Sequence, residues 1–203
     1  MNKLWMILLL TMTAAGCGSL FQTKAAPPTM YLLSMSRKAA DGAAPLPVDL
    51  GVLKPKVRAG LDTDRIAVLY PDRRLDYFAN VRWSGPVDEV VQELAIQEFR
   101  AIDAVRNVSG DASVFASSYW LEVEVADFQA EYTAGAGVPN IHVHLVGRVG
   151  SSTDRRVMTR FEADAIEPAA DNRMGAIAAA FNRAADRALS GIVADCIETL
   201  KAR

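Results

Sequence analysis

The sequence predicts an α+β fold: a single domain in which a mixed, mostly antiparallel sheet is covered by two helices. Two patterns predict it, since apolar residues alternate with polar ones in several short segments and recur every three or four positions in two longer ones. A chain of 203 residues that is 51% apolar is also long enough to bury a substantial core. The sequence has no internal repeat and no second domain boundary, so one domain is expected.

The first strands are predicted ahead of the first helix. They are expected at residues 30–35, 48–53 and 65–70, with a further extended segment at 75–83. Pro55 follows the second of these segments, and the turn Pro71-Asp72 closes the third. Residues 36–47 are small, charged or proline-rich, which is typical of a loop.

Two segments have helical periodicity. The first helix is predicted at 86–100, because Pro86 suits a first helical position and Asp88 and Glu89 fall in the first turn, where the helix dipole favours anions. The second helix is predicted at 171–201. Its apolar stripe consists of Ile177, Phe181, Ala184, Ala188, Ile192, Cys196 and Leu200. At 1.5 Å per residue this helix spans roughly 45 Å, enough to cross a sheet.

The clearest strand signal begins at residue 119. Apolar and acidic residues alternate up to Val125, and the alternation then changes phase, because Phe128 and Ala130 fall on the other parity. This change predicts a bulge near Ala126-Asp127. A glycine-rich turn at 134–140 leads to a returning strand from residue 141, and a further strand is predicted at 157–163.

The returning strand carries both histidines of the chain. His142 and His144 lie two positions apart and therefore share a face of the sheet. Two imidazoles at this spacing can hold a metal ion, but any carboxylate ligands would have to come from another strand. A solvated strand face is the preferred interpretation, and no metal is expected. In a hairpin that pairs residue 132 with residue 140, Glu124 would lie opposite Arg148.

The N-terminus resembles a bacterial lipoprotein signal. Lys3 and an apolar segment at 4–15 precede small residues and Cys17, and this segment is shorter than the roughly 20 residues that span a bilayer. The resemblance implies removal of residues 1–16 and acylation of Cys17, with palmitate among the chains, and a tether over 17–29. Gly18, in place of Asp, implies the outer membrane of a Gram-negative envelope. A plain cleaved signal with an incidental cysteine is the alternative.

Composition and motifs exclude several functions. The chain has 22 basic and 24 acidic residues, so it lacks the basic excess that a nucleic-acid partner requires. There is neither a Walker A motif nor a G-x-S-x-G motif, and no set of titratable residues is placed to converge. We therefore expect no catalytic residues and no cofactor, and a binding or assembly role is preferred. If Cys17 is acylated, Cys196 has no partner and should be buried and inert.

Several segments carry a family resemblance. They are Gly60-Leu61-Asp62-Thr63-Asp64-Arg65-Ile66-Ala67-Val68, Leu75-Asp76-Tyr77-Phe78, Arg82-Trp83-Ser84-Gly85-Pro86, and residues 119–125 followed by Phe128. Together with the alanine-rich last helix, they resemble the ABC-type transport auxiliary lipoproteins, which include the paraquat-inducible protein C family. The resemblance covers nearly all of the mature chain and makes residues 30–203 the auxiliary domain.

This resemblance implies a non-catalytic periplasmic lipoprotein that works beside an MCE-domain protein, an ABC ATPase and a permease. Such systems move phospholipid or other hydrophobic molecules between the inner and outer membranes, and a ring-shaped MCE partner would match a ring of this subunit. The expected partner contacts are Asp62, Arg65, Tyr77 and Trp83. For Trp83, just before a helix, a core anchor is the favoured interpretation, and Asp62 is alternatively a residue that organises a turn through its own backbone. Two other functions stay open: a carrier that holds a lipid between helix and sheet, and a periplasmic hydrolase.

Overall fold

The structure is a computed structural model that describes residues 26–36, 44–110 and 116–203. The predicted signal at 1–16 and Cys17 lie outside these residues, as does most of the predicted tether. Within the described residues the strands are β1 (Thr29–Tyr31), β2 (Leu46–Val52), β3 (Lys56–Val57), β4 (Arg65–Leu69), β5 (Leu75–Trp83), β6 (Val105–Ser109), β7 (Tyr119–Glu131), β8 (Asn140–Ser151) and β9 (Arg156–Pro168). The helices are α1 (Val87–Ala101) and α2 (Met174–Lys201).

The nine described strands form a single sheet built around β7. One edge of β7 pairs with β8 along its whole length, and β8 pairs with β9, both antiparallel. The other edge of β7 pairs with β2, then β3, then β4, all parallel. Outside these strands, β6 lies parallel to β2, β5 antiparallel to β4, and β1 parallel to β5. The predicted mixed, mostly antiparallel sheet in one α+β domain is confirmed.

The predicted bulge is confirmed as well. The ladder between β7 and β8 shifts register between Val125 and Asp127, so β7 carries one extra residue. At the turn end of the hairpin Glu131 faces Asn140, and beyond the bulge Glu122 faces Arg148. The predicted placement of Glu124 directly opposite Arg148 is wrong by two residues: the hairpin pairs Glu131 rather than Tyr132 with Asn140, and the bulge shifts the earlier residues of β7 by one more.

Both helices cover the same face of the sheet. Helix α2 packs mainly on β8 and β9, and α1 packs against β6, β2 and β3. Helix α1 begins one residue later than predicted, directly after Pro86. Helix α2 begins at Met174, three residues later than predicted, because the Asp171 carboxylate accepts the Arg173 N–H at 2.7 Å and holds a turn there.

The core between helices and sheet is centred on three aromatic rings. Trp83 lies edge-on to Phe181 with ring centroids 5.0 Å apart and edge-on to Phe128 at 6.0 Å, and Phe128 and Phe181 lie 5.5 Å apart. Cys196 is buried among the apolar residues of α2, as predicted, and burial raises the pKa of its thiol to about 12. At the margin of this interface, Glu167 of β9 forms ion pairs with Arg183 at 3.3 Å and Arg187 at 2.5 Å.

The ends of β1 and β9 differ from the predicted ones by four and five residues. Strand β1 stops at Tyr31, and the next residues lie along α2, where the Ser34 N–H donates to Asn182 Oδ1 at 2.8 Å and the Ser36 N–H donates to Asp186 Oδ1 at 2.9 Å. The segment is therefore held by side chains of the helix rather than by a neighbouring strand. In contrast, β9 continues to Pro168, five residues beyond the predicted end.

Two strands, β3 and β6, were not predicted. Strand β3 has two residues, and β6 is only five residues long with its apolar positions at Val105 and Val108. Neither is long enough to show a period, and their pairing with β7 and β2 defines them. In the described part of the chain, no helix is both long and apolar enough to cross a membrane.

Candidate functional site: the uncovered face of the sheet

The face of the sheet opposite the helices carries the polar residues of the long strands. On β8, Ile141, Val143 and Leu145 are fully buried on the helix side, whereas His142 and His144 face the other way and are partly exposed. The paired residues of five strands form one row across this face. From one side to the other, the row consists of Tyr77, Ala67, Gln129, His142 and Ile166. This surface, from β5 to β9, is called the uncovered face below.

A loop at residues 58–64 lies over part of the uncovered face. The Arg58 N–H donates to the carbonyl of Val125, and the Arg58 guanidinium bonds Asp127 at 2.9 Å. The side chain of Leu61, which is part of this loop, is buried. The loop and neighbouring side chains cover Gln129 of β7, which is only 3% exposed. A small hollow of about 100 Å³ remains between the loop and the sheet. The loop therefore has a fixed position relative to β7.

Two of the predicted partner contacts, Arg65 and Tyr77, form a stacked pair beside this loop. The Arg65 guanidinium carbon lies 4.0 Å from the centroid of the Tyr77 ring, a cation–π contact. The Tyr77 hydroxyl donates to the carbonyl of Gly60 at 2.7 Å. Gly60 has a φ of +87°, a backbone conformation in which glycine is strongly favoured. The pair is thus tied to the turn of the loop, with Arg65 exposed at the surface.

The third predicted contact, Asp62, is exposed at the tip of the same loop. Asp64, the last residue of the loop, connects it to β5. Its carboxylate accepts two hydrogen bonds from one guanidinium nitrogen of Arg82, at 2.7 and 2.8 Å. Arg65 and Tyr77 are therefore in contact, and Asp62 lies in the loop to which the Tyr77 hydroxyl is bonded. Arg65 presents a positive group over the aromatic ring, and Asp62 is an exposed negative group of the same loop.

The fourth predicted contact, Trp83, is placed elsewhere. Its side chain is 1% exposed and packs between Phe128 and Phe181 on the helix side of the sheet. A partner could contact this ring only if the core opened. Trp83 therefore belongs to the core, and we leave it out of the surface formed by Asp62, Arg65 and Tyr77.

A cluster of charged side chains lies on the uncovered face near the N-terminal end of β7. Arg148 on β8 bonds Glu122 at 3.0 Å and Glu124 at 2.9 Å, and Lys56 on β3 bonds Glu122 at 2.7 Å. The Lys56 hydrogen bond, followed by that of Arg148, lowers the pKa of Glu122, although burial opposes the shift. The two positive and two negative charges of these side chains neutralise one another, and each ion pair joins neighbouring strands.

A second group of titratable residues surrounds the two histidines. Asp127 and Glu131 come from β7, and Glu162 and Asp164 come from β9. His142 Nδ1 lies 3.0 Å from Glu131 Oε1, and its Nε2 lies 2.9 Å from Asp164 Oδ1. Sequence reasoning treated the histidines as a solvated pair and missed these carboxylates. The pairing of β8 with β7 and β9, including the bulge in β7, places these carboxylates beside the histidines.

The pKa of His142 reflects these neighbours. Burial would lower it, but the hydrogen bond and charge of Glu131, together with Asp127 and Asp164, raise the pKa above its ordinary value. His144 stands beside it with its ring parallel to within 3° and the two centroids 6.4 Å apart. Its nitrogens lie 3.7 Å from Asp127 and 3.4 Å from Glu162.

A larger hollow, of about 320 Å³, lies at the ends of β7, β8 and β9 near the end of α2. Its lining includes Asp154, Arg156 and Arg203, together with Val157 and Met158. Sites that hold apolar ligands are lined mainly by hydrophobic side chains. The charged lining of this hollow does not favour the lipid-carrier alternative.

The fold and the uncovered face define a class of protein: an α+β domain whose fixed polar and aromatic side chains lie on an open sheet surface, as suits binding or assembly. The model of the ABC-type transport auxiliary lipoprotein component family matches residues 31–193. The chain therefore belongs to this family. The family is one of membrane-anchored periplasmic lipoproteins that assist ABC transport systems, and it is not a known class of enzymes. Comparison with curated protein sequences gives no match.

Solved structures show the same fold. Protein XCC0632 from Xanthomonas campestris, described as a DUF330 protein, is 22% identical with a TM-score of 0.77, over 86% of this chain and 98% of that one. An uncharacterized protein is 12% identical with a TM-score of 0.63, over 83% and 98% of the two chains. The hypothetical protein CT253 from Chlamydia trachomatis is 11% identical with a TM-score of 0.55, over 77% and 99%.

Proposed function

We propose that this lipoprotein is a non-catalytic accessory subunit of an MCE-type lipid-transporting ABC system, anchored through Cys17 to the periplasmic face of the outer membrane. The observation that carries the transport role is the match of residues 31–193 to the auxiliary lipoprotein family. Its role is to seat the periplasmic MCE protein, which an ABC ATPase and a permease serve at the inner membrane. A ring of several copies would match a ring-shaped MCE partner.

The surface proposed for the partner consists of Asp62, Arg65 and Tyr77. The loop that carries Asp62 is held on one side by the bond from Tyr77 to Gly60 and on another by contacts of Arg58 with β7. Preorganised side chains lose less conformational entropy on binding, which favours them as contacts. Arginine and tyrosine, the types of the stacked residues Arg65 and Tyr77, are with tryptophan the residues most enriched at binding hot spots.

In-cell photo-crosslinking in the native host tests this proposal. A photoreactive amino acid is placed at position 62 or 65, and at Thr159 as a control, because Thr159 is exposed on β9 at the far side of the sheet. We expect an MCE-domain protein among the products from positions 62 and 65 and much less of it from 159. Absence of any MCE-domain protein from all three positions would contradict the transport role.

Alanine variants test the contact itself. Arg65→Ala removes the stacked guanidinium, and we expect the affinity for the partner to fall about 30-fold or more, since hot-spot residues cost about 2 kcal/mol or more. Arg74→Ala is the matched control, because Arg74 stacks on Tyr70 at 4.4 Å at the other end of the same hairpin. Equal loss in both variants would show that the contact is not specific to the Arg65 surface.

The anchor is tested separately. Cys17→Ser removes the acylated sulfur, and we expect the variant to leave the membrane fraction. Separation of inner and outer membranes on a density gradient then decides which membrane holds the parent protein. Unchanged outer-membrane recovery of Cys17→Ser would contradict anchoring through this residue.

A further inference from the structure

The histidine-carboxylate group on the uncovered face is more than a solvated strand surface. Three side chains offer ligand atoms that all lie within 4.8 Å of one another: Asp127, Glu131 and His142. We propose that these three residues bind a divalent transition-metal ion of the Zn²⁺ class. One imidazole nitrogen with two carboxylate oxygens is a donor set that suits Zn²⁺ and leaves a coordination position for water.

The first argument is the arrangement around His142. Its Nδ1 faces the Glu131 carboxylate at 3.0 Å, whereas its Nε2 lies 2.9 Å from Asp164 on the opposite strand. Histidines that bind metals almost always donate their other ring N–H to a carboxylate or carbonyl, which fixes the ring. Asp164 stands where that partner is required. It is a positioning residue in this proposal and not a ligand.

The second argument is that both carboxylates are held before any ion binds. The Gln129 amide nitrogen donates to Asp127 Oδ1 and to Glu131 Oε1, each at 2.8 Å. Its own carbonyl accepts the Phe128 N–H at 2.8 Å, and the side chain is 3% exposed. A buried amide thus fixes the spacing of two like charges. Asp127 is held further by Arg58 at 2.9 Å.

The third argument is charge. Four carboxylates belong to this group, and two of them have a guanidinium partner: Arg58 bonds Asp127, and Arg160 bonds Glu162. The other two carboxylates, Glu131 and Asp164, contact His142 and carry two negative charges, which is the charge that one divalent cation neutralises. Because of the bulge between Val125 and Asp127, Asp127 and Glu131 face the uncovered side of the sheet, whereas Val123 and Val125 face the helices, and bulges are common beside sites where a side chain must be redirected.

Isothermal titration of ZnCl₂ into the purified, EDTA-treated lipoprotein in detergent tests the proposal, with CaCl₂ as the second probe. We expect one Zn²⁺ per chain and no comparable Ca²⁺ binding, because an imidazole nitrogen is not a ligand that Ca²⁺ favours. Titration with CoCl₂ supplies an independent signal, since visible absorption of the bound ion reports its ligand geometry.

Variants identify the ligands. His142→Asn should weaken Zn²⁺ binding more than about 100-fold, and Asp164→Asn should weaken it about 10–100-fold, the usual range for an outer-shell partner. His144→Asn is the matched control, on the same strand two residues away, and should change affinity less than about threefold. Circular dichroism checks that each variant is folded. Binding that persists in His142→Asn, or equal loss in His144→Asn, would overturn the proposed site.

Discussion

Gly147 on β8 is expected to be a position where one added methyl group destabilises the fold. A Cβ at this position would lie 2.1 Å from Cε2 and 2.6 Å from Cδ2 of the Phe161 ring on β9, the residue paired with it. Carbon atoms in contact are normally 3.5–4.0 Å apart, so the ring must retreat by about 1.5 Å. The phenyl ring of Phe161 therefore occupies the space that a side chain at 147 would take.

The magnitude follows from two opposing effects. Overpacking of this kind costs about 1–3 kcal/mol, whereas replacing glycine by alanine stabilises by about 0.4–1 kcal/mol through the unfolded chain. The backbone of Gly147 is not left-handed, so alanine is sterically allowed there. We expect Gly147→Ala to lower the free energy of unfolding by about 1–2 kcal/mol in urea titrations followed by tryptophan fluorescence.

A double-mutant cycle with Phe161→Ala isolates the clash. Without the ring, Gly147→Ala should be neutral or stabilising by up to about 1 kcal/mol, which corresponds to a coupling energy of about 1–3 kcal/mol. Gly175→Ala is the control, because a Cβ at Gly175 near the start of α2 meets no atom within 4 Å. An equal cost of Gly147→Ala with and without the Phe161 ring would refute the reasoning.

Three further predictions concern the core and the charged face. Trp83→Ala should lower the free energy of unfolding by about 3–5 kcal/mol in urea, and a loss below 1 kcal/mol would contradict its place in the aromatic core. Cys196, whose thiol pKa is raised to about 12, should resist Ellman's reagent at pH 8 until the protein is denatured, and rapid reaction of the native thiol would contradict its burial. The pKa of Glu122 is lowered in the folded protein, chiefly through Lys56, so its contribution to stability is present above the unfolded pKa and is lost as pH falls through the folded value. Lys56→Ala should therefore weaken the loss of stability between about pH 5 and pH 3, measured as thermal midpoints, and an unchanged profile would exclude this ion pair.

Regular periodicity was readable from the sequence, whereas pairing between strands was not. The helix at α1 and the alternation of β7, including its change of phase at Asp127, follow from local spacing alone. The order of strands around β7 depends on contacts between distant residues. Parallel pairing with β2, β3 and β4 leaves no local signal, and β3 has only two residues.

The candidate site was predicted only in part for the same reason. The spacing of His142 and His144 on one strand gave their shared face correctly. Their carboxylate neighbours depend on the register of two other strands, and the register on β7 is set by one bulged residue. Likewise, Trp83 lies in a segment rich in exposed residues, and only the packing of α2 against the sheet places its ring in the core.

The proposed partner surface at Arg65 and Tyr77 and the proposed metal site at His142 lie at different distances from the N-terminal segment. Strand β1 pairs with β5 at the edge of the sheet, and the residues after it are fixed along α2 through Ser34. The N-terminal segment therefore joins the domain next to β5, the strand that carries Tyr77. Between Cys17 and β1 lie eleven residues, which at full extension reach at most about 40 Å. If Cys17 is the anchor, the tether joins the sheet at β1, and Tyr77 and Arg65 lie on the next two strands, β5 and β4. His142 lies three strands further across the sheet, so loss of metal binding and loss of partner contact can be measured independently.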